Sequence, residues 1–237
     1  MRDEVLEQLC WNSYANVIGP VRGIIVRLHG LGAAGMKSAA EAVDLEWASR
    51  GGLVVEVFHN PWSWMNDATR DLVDAVVSGL RARHQLPADL PLIIIGGSMG
   101  GHAALTYCFT SRLRVTACQA NCPVCDLPHH FTERPDLPRT LYSAYGLGDG
   151  IEARMAANSP LQQVARMPDI TYQILHGGGD QAVNKERHSD RLVAAMRQRG
   201  LRVEYLEEPG MGHCGPLPTF ALQRRLIDFV SQQLATS

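Results

Sequence analysis

A serine in the sequence pattern of a nucleophile follows an apolar run near the middle of the chain. The run PLIII begins at Pro91, and GGSMGG comes directly after it with its serine at Ser98, before the helix-forming residues HAALTYCF. This G-x-S-x-G pattern at a strand-to-helix turn needs glycine neighbours, because the turn is sharp and exposes the hydroxyl. We therefore expect Ser98 to attack a carbonyl carbon. The alternative, a glycine-rich nucleotide-binding turn, lacks both the G-x-G-x-x-G pattern and a P-loop lysine.

A serine hydroxyl is a weak nucleophile unless a base takes its proton. Among nine histidines, His213 lies in the glycine-rich segment EEPGMGHCG, just after the last predicted strand. From there its side chain can reach the sheet edge that carries Ser98, so we expect it to be the base; the alternative is an incidental loop histidine. His102, on the helix behind the turn, and His188, on a predicted surface helix, are interpreted as structural or solvated.

The base in turn needs a carboxylate to orient it. Asp180 follows the strand ITYQILHGGG, in a loop expected at the same sheet edge. The chain order Ser98, Asp180, His213 is the order typical of a nucleophile-elbow fold. Asp126 is the main rival, and a helix-capping role is the alternative for Asp180.

Two backbone amides should stabilise the oxyanion of such a reaction. The loop after the first long strand reads HGLG, and we expect the Leu31 amide to act there together with the Met99 amide. His29 is interpreted as structural.

Four aromatic residues could line a substrate pocket or only seal loops onto the core. They are Trp62, Trp64, Tyr142 and Tyr145.

The elements that must position these residues alternate between strand and helix. Strands are predicted from Gly23, Leu53 and Pro91 and over 114–120, 170–175 and 202–206. Helices are predicted over 67–84, after Met99, and over 185–199 and 217–234. The alternation predicts an α/β fold, a doubly wound and mostly parallel sheet of about seven to eight strands with helices on both faces. We expect one domain over 1–237, in which 122–169 is a lid, a substrate-binding excursion or an irregular connection.

Composition restricts the partners. A net charge of −2 with scattered basic residues gives no reason to expect nucleic acid. The first ten residues lack a signal-peptide pattern and no apolar run could cross a bilayer, so a cytoplasmic monomer or homodimer acting on a small molecule is expected.

The six cysteines are expected to be free. Cys122 and Cys125 form a C-x-x-C pattern near His129 and His130, but the spacing disfavours redox or zinc chemistry, and no metal or cofactor is expected.

The elbow, HGLG, HGGGD and PGMGH together make the chain resemble the α/β-hydrolase superfamily over nearly its whole length. The part from HGGGD to PGMGH is similar to the catalytic end of prolyl oligopeptidase-type peptidases and of small bacterial carboxylesterases, and HGLG is similar to the acyl-protein thioesterase group. The resemblance implies an eight-stranded sheet, a serine–aspartate–histidine triad and no cofactor. Only some twenty residues precede the first strong strand, so the usual antiparallel start of the sheet should be shortened or absent.

The resulting hypothesis is a serine carboxylesterase that hydrolyses small esters through an acyl-enzyme on Ser98. Ester hydrolysis is favoured over peptide hydrolysis because the large propeller domain of oligopeptidases does not occur in this sequence. Acyl- or aminoacyl-peptide hydrolysis and thioester hydrolysis are the alternatives within the same chemistry. A dienelactone hydrolase is disfavoured because it normally uses a cysteine nucleophile. A non-catalytic binding protein on a hydrolase scaffold is the alternative from a different class.

Overall fold

A seven-stranded sheet that includes the three predicted runs rich in β-branched residues forms the centre of the computed structural model, which describes residues 3–235. The strands are β1 (Cys10–Asn12), β2 (Gly23–Leu28), β3 (Gly52–Val57), β4 (Leu92–Gly97), β5 (Ala117–Asn121), β6 (Thr171–Gly177) and β7 (Arg202–Glu208). They lie in the order β1-β3-β2-β4-β5-β6-β7. Only β1 is antiparallel to its neighbour, pairing with β3 through three residues. The predicted α/β class is confirmed, and the antiparallel start is shortened rather than absent.

Helices cover both faces of this sheet. They are α1 (Asp3–Leu9), α2 (Ala42–Ala48), α3 (Asp67–Arg83), α4 (Met99–Thr110), α5 (Leu127–His130), α6 (Leu137–Tyr145), α7 (Ile151–Ala157), α8 (Ser189–Gln198) and α9 (Phe220–Ala235). Side chains alternate across a strand, so Ile24 and Val26 join one core with α3, α4 and α8. Ile25 joins a second core with α2 and α9. None of the helices within residues 3–235 is long and apolar enough to cross a bilayer.

Some boundaries differ from the prediction. Helix α8 begins at Ser189, not at 185, because the residues before it are held in turns and by a tertiary contact. The ring of His188 accepts hydrogen bonds from the amides of Cys125 and Asp126. His188 is therefore fully buried at the start of the helix. The prediction that this position lies at the surface was wrong, and of the two interpretations of His188, structural or solvated, the structural one holds.

The segment 122–169 breaks the alternation as predicted, but it is helical. Its three short helices α5, α6 and α7 lie beside the carboxyl end of the sheet. They pack with Trp64, Met99 and Val183 in a small apolar cluster of their own. The segment is thereby fixed against the residues that surround Ser98.

Candidate functional site

Ser98 occupies a strained turn between β4 and α4. Its backbone has φ 57° and ψ −123°, a conformation that costs a non-glycine residue of order 1–3 kcal/mol. A Cβ at Gly100 would lie 2.1 Å from the carbonyl oxygen of Leu28, and one at Gly96 would lie 2.3 Å from that of Gly100. The two glycines flanking Ser98 are thus required by close backbone approach, as the pattern predicts.

His213 bridges Ser98 and Asp180. The Ser98 hydroxyl donates to His213 Nε2 over 2.8 Å, and His213 Nδ1–H donates to Asp180 Oδ2 over 2.7 Å. The three side chains come from loops after β4, β6 and β7, which end at the same sheet edge. The structure therefore brings together the three residues predicted for nucleophile, base and acid.

The acid is buried and held as a carboxylate. Burial alone would raise the pKa of Asp180, but hydrogen bonds from His176, His213 and the amides of Val183 and Ala182 lower it far below its ordinary value. The hydrogen bond to Asp180 raises the pKa of His213, against the effect of partial burial. Asp180 thus fixes the Nδ1–H tautomer and leaves Nε2 free to accept a proton.

The rival acid lies elsewhere. Asp126 accepts hydrogen bonds from the His129 amide and the Gln162 side chain, and it caps α5. His102 is buried between the carbonyls of Val124 and Trp64, and burial lowers its pKa to about 4. It is structural, as predicted.

The HGLG loop lies beside the nucleophile. The ring nitrogens of His29 lie 3.0 Å from the carbonyl oxygens of Gly30 and His59, and the two imidazoles stack with centroids 3.6 Å apart. His29 thus fixes the loop. A Cβ at Gly30 would be 4.0 Å from Ser98 Cβ. Leu31 lines the same cavity as Ser98, and Met99, which follows Ser98 directly, is the first residue of α4; the oxyanion role of their amides stays a prediction.

A cavity of about 490 Å³ opens at Ser98. Its lining residues are Gly30, Leu31, Trp64, Gly97, Ser98, His130, Arg134, Leu137, Val183, His213 and Cys214. Of the four aromatic residues predicted for the pocket, Trp64 alone lines it among the described residues. Trp62 lies under the guanidinium of Arg139, and Tyr142 packs edge-on against Phe131. Tyr145 is buried behind Trp64 and donates to its carbonyl oxygen.

The cavity contains polar side chains that the sequence patterns did not indicate. Arg134 is held by two hydrogen bonds to Asp136, and His130 lies 2.5 Å from a carboxylate oxygen of Glu133. Both cavity residues come from the segment 122–169. Their position depends on how that segment folds, so no spacing in the sequence could have identified them.

Among the described residues, three clusters of side chains could be considered as cation sites. In the first, His129, Glu133 and His188 place their ligand atoms within 4.8 Å of one another. His188 Nδ1 accepts two backbone N–H groups, so the proton of the neutral ring is on Nε2, which donates to Glu133. A nitrogen that carries a proton has no lone pair for a metal.

The other two clusters share Cys122. One combines it with His176 and Asp180, and the other combines it with His213 and Cys214. The cluster with His213 and Cys214 is treated below.

Comparison with known proteins places the chain in a family. Residues 63–237 match the model of the prolyl oligopeptidase family, Peptidase_S9. No curated protein matches the chain.

Solved structures with this fold include a Mycobacterium tuberculosis puromycin-hydrolyzing peptidase, with a TM-score of 0.74 and 21% identity. That match covers 92% of this chain and 35% of the peptidase. A Pyrococcus horikoshii acylaminoacyl peptidase matches with TM-score 0.71 and 15% identity over 93% of this chain and 38% of its own. A lipase in an open form matches with TM-score 0.64 and 14% identity over 96% and 93%. The chain thus spans little more than a third of the two peptidases. With its serine, histidine and aspartate at the carboxyl edge of an α/β-hydrolase sheet, the chain belongs to the prolyl oligopeptidase family of serine hydrolases.

Proposed function

We propose that this protein hydrolyses acyl- or aminoacyl-amide bonds through an acyl-enzyme on Ser98. The observation that carries the proposal is the pair of hydrogen bonds at His213, which link the hydroxyl of Ser98 to the carboxylate of Asp180. The family match and the peptidases among the similar structures favour an amide over an ester.

The geometry supports a two-step acyl transfer. His213 Nε2 takes the Ser98 proton as Oγ adds to the carbonyl carbon, and the amides of Leu31 and Met99 stabilise the oxyanion. His213 then donates that proton to the leaving amine, which yields the acyl-enzyme and free amine. Water repeats the sequence on the ester, releases the acid and restores Ser98. Each oxyanion amide is expected to contribute roughly 10²–10³ in rate.

The cavity suggests how a substrate is held. Trp64, Leu137 and Val183 supply an apolar wall, and Arg134 lines the same cavity. We propose that residues 122–169 act as the substrate-binding part of the domain, with Arg134 binding a carbonyl or carboxylate oxygen of the acyl group.

Ester hydrolysis is the second candidate. The lipase that matches this chain over 93% of its own length supports it, and an ester requires no protonation of a poor leaving amine.

Paired substrates test the proposal. The same aminoacyl group is presented as a p-nitroanilide and as a p-nitrophenyl ester, to the natural protein and to Ser98→Ala. Turnover of the anilide that Ser98→Ala lacks is expected. Turnover of the ester alone would support the carboxylesterase. No Ser98-dependent turnover, together with no labelling of Ser98 by a fluorophosphonate, would overturn the hydrolase and favour a non-catalytic binding protein.

A further inference from the structure

Two cysteines lie against the candidate base. Cys214 directly follows His213 in the chain, and Cys122 directly follows strand β5. The sulfur atoms of both cysteines and a ring nitrogen of His213 lie within 4.8 Å of one another. The predicted C-x-x-C pattern is not used as a pair, because Cys125 lies behind the loop and its S–H points to the Pro123 carbonyl.

We propose that Cys122, His213 and Cys214 form a binding site for a thiophilic divalent cation, with Zn²⁺ as the reference ion, and that the bound cation inhibits the enzyme. The binding half of this proposal stands on the geometry alone. The inhibitory half rests on the proposed role of His213 as base.

The ligand set fits zinc in type and spacing. Two cysteine sulfurs and one imidazole form a common three-ligand set that leaves a fourth position for water. With Zn–S and Zn–N bonds near 2.3 and 2.0 Å, tetrahedral ligands lie roughly 3.5–4 Å apart. A small side-chain movement from the observed spacing is therefore sufficient.

The protonation states also fit. His213 donates Nδ1–H to Asp180, so Nε2 is the ring nitrogen with a lone pair for a cation, and the proposal has the cation bind there. A carboxylate that accepts the other ring N–H is the usual second partner of a zinc-binding histidine. This is the opposite of His188 in the other cluster, where the nitrogen facing Glu133 carries the proton.

One of the sulfurs already accepts a hydrogen bond from the backbone. The amide of Cys214 donates to Cys122 Sγ over 3.4 Å, and a hydrogen bond of this kind favours the thiolate form that binds a metal. The Cys214 thiol lies 3.6 Å from the carbonyl oxygen of Asn121, and a bound cation would displace its proton into solvent.

The site is accessible from one side. Cys214 is exposed and lines the cavity that contains Ser98, whereas Cys122 is fully buried and lies outside the residues that line it. A cation arriving through the cavity meets Cys214 and His213 first. Once bound to Nε2, it occupies the lone pair that would take the Ser98 proton.

Two measurements test the site. Zn²⁺ is titrated into hydrolysis assays in thiol-free buffer, with each variant compared to its own zinc-free rate. Co²⁺ is titrated into Ser98→Ala, which keeps all three ligands, and the thiolate-to-cobalt absorption band is recorded. We expect Zn²⁺ to inhibit the natural protein and Co²⁺ to give the band.

Cys214→Ser is the diagnostic variant, and Cys108→Ser in α4 is its matched control, since that buried cysteine donates to the Ala104 carbonyl and is none of the three proposed ligands. A second-shell partner alone contributes 10–100-fold in metal affinity, so loss of a sulfur ligand should weaken zinc binding by at least about 100-fold. Cys108→Ser should leave inhibition unchanged.

The outcomes separate the two proposals. Equal inhibition of Cys214→Ser and the natural protein, or the absence of a cobalt band, overturns the cation site. A cobalt band that Cys214→Ser abolishes, in a protein without hydrolase activity on any substrate, supports the site and overturns the proposed function instead.

Discussion

His176 Nε2 lies 3.2 Å from Oδ2 of Asp180. The same carboxylate oxygen accepts the hydrogen bond from His213 Nδ1–H. His176 is fully buried; its Nε2 also lies 3.2 Å from the Val183 carbonyl oxygen, and its Nδ1 lies 2.6 Å from the Ser189 hydroxyl. It therefore orients Asp180 from behind and is a positioning residue, without contact to the cavity.

Replacing His176 by Leu, which has no hydrogen-bond donor, should reduce kcat and shift the pH dependence of the reaction. A hydrogen bond to a charged group is worth about 1.5–3 kcal/mol, so the free energy of unfolding should fall by a similar amount. Without this donor the Asp180 carboxylate becomes more basic and holds the His213 imidazolium more strongly. The acid limb of kcat/KM should therefore move to higher pH. His102→Leu, which also removes a buried histidine, should destabilise the fold but leave the limb in place.

Asp180→Asn should lower kcat by roughly 10⁴, because the imidazole is no longer held in the useful tautomer. His213 must be neutral to act as base, so activity rises as pH increases through its pKa. Asp180 raises that pKa, and the acid limb of the natural protein should lie above the ordinary value for histidine. In Asp180→Asn the residual activity should have its limb at lower pH. Asp126→Asn is the control; an equal loss in that variant would contradict the assignment.

Ser98→Gly should be more stable than Ser98→Ala. Both remove the nucleophile and should lower kcat by roughly 10⁶. Glycine adopts the positive φ of this turn without strain, whereas alanine does not, so the difference in unfolding free energy should be about 1–2 kcal/mol. Urea unfolding of the two variants measures it. Equal stabilities would show that the turn relaxes when the hydroxyl is absent.

Gly100→Ala should destabilise the protein strongly. The added Cβ would lie 2.1 Å from the carbonyl oxygen of Leu28, and a backbone atom cannot rotate away. Overpacking typically costs 1–3 kcal/mol, and a backbone clash belongs at or above the upper end. Gly35→Ala is the matched control, because no atom lies within 4 Å of its Cβ position. Thermal unfolding should leave Gly35→Ala close to the natural protein.

Local sequence patterns predicted what depends on local chemistry. Glycines mark the strand-to-helix turn at Ser98 and the loops of Asp180 and His213. The chain order of these three residues, and their position at one edge of the sheet, could therefore be predicted from the sequence. The fold class followed from alternation of apolar runs.

The pocket was predicted poorly because it depends on contacts between distant segments. Trp64 and Trp62 are two residues apart, yet the positive φ of Trp64 and Met65 turns one into the cavity and leaves the other outside. His188 lies in a stretch with a helical sequence pattern, but its ring accepts hydrogen bonds from the backbone amides of Cys125 and Asp126. Neither position has a signature in spacing.

The position of β7 at the end of the sheet has a consequence for how activity is lost. Ser98 follows β4, the central strand, which is paired on both sides, whereas the loop of His213 follows β7, which pairs only with β6. Local opening requires least free energy at such an edge. Fraying of β7 would withdraw the base while the nucleophile stays in place, so hydrolysis should fail at a lower urea concentration than the global unfolding transition, and amide exchange should be faster in β7 than in β4.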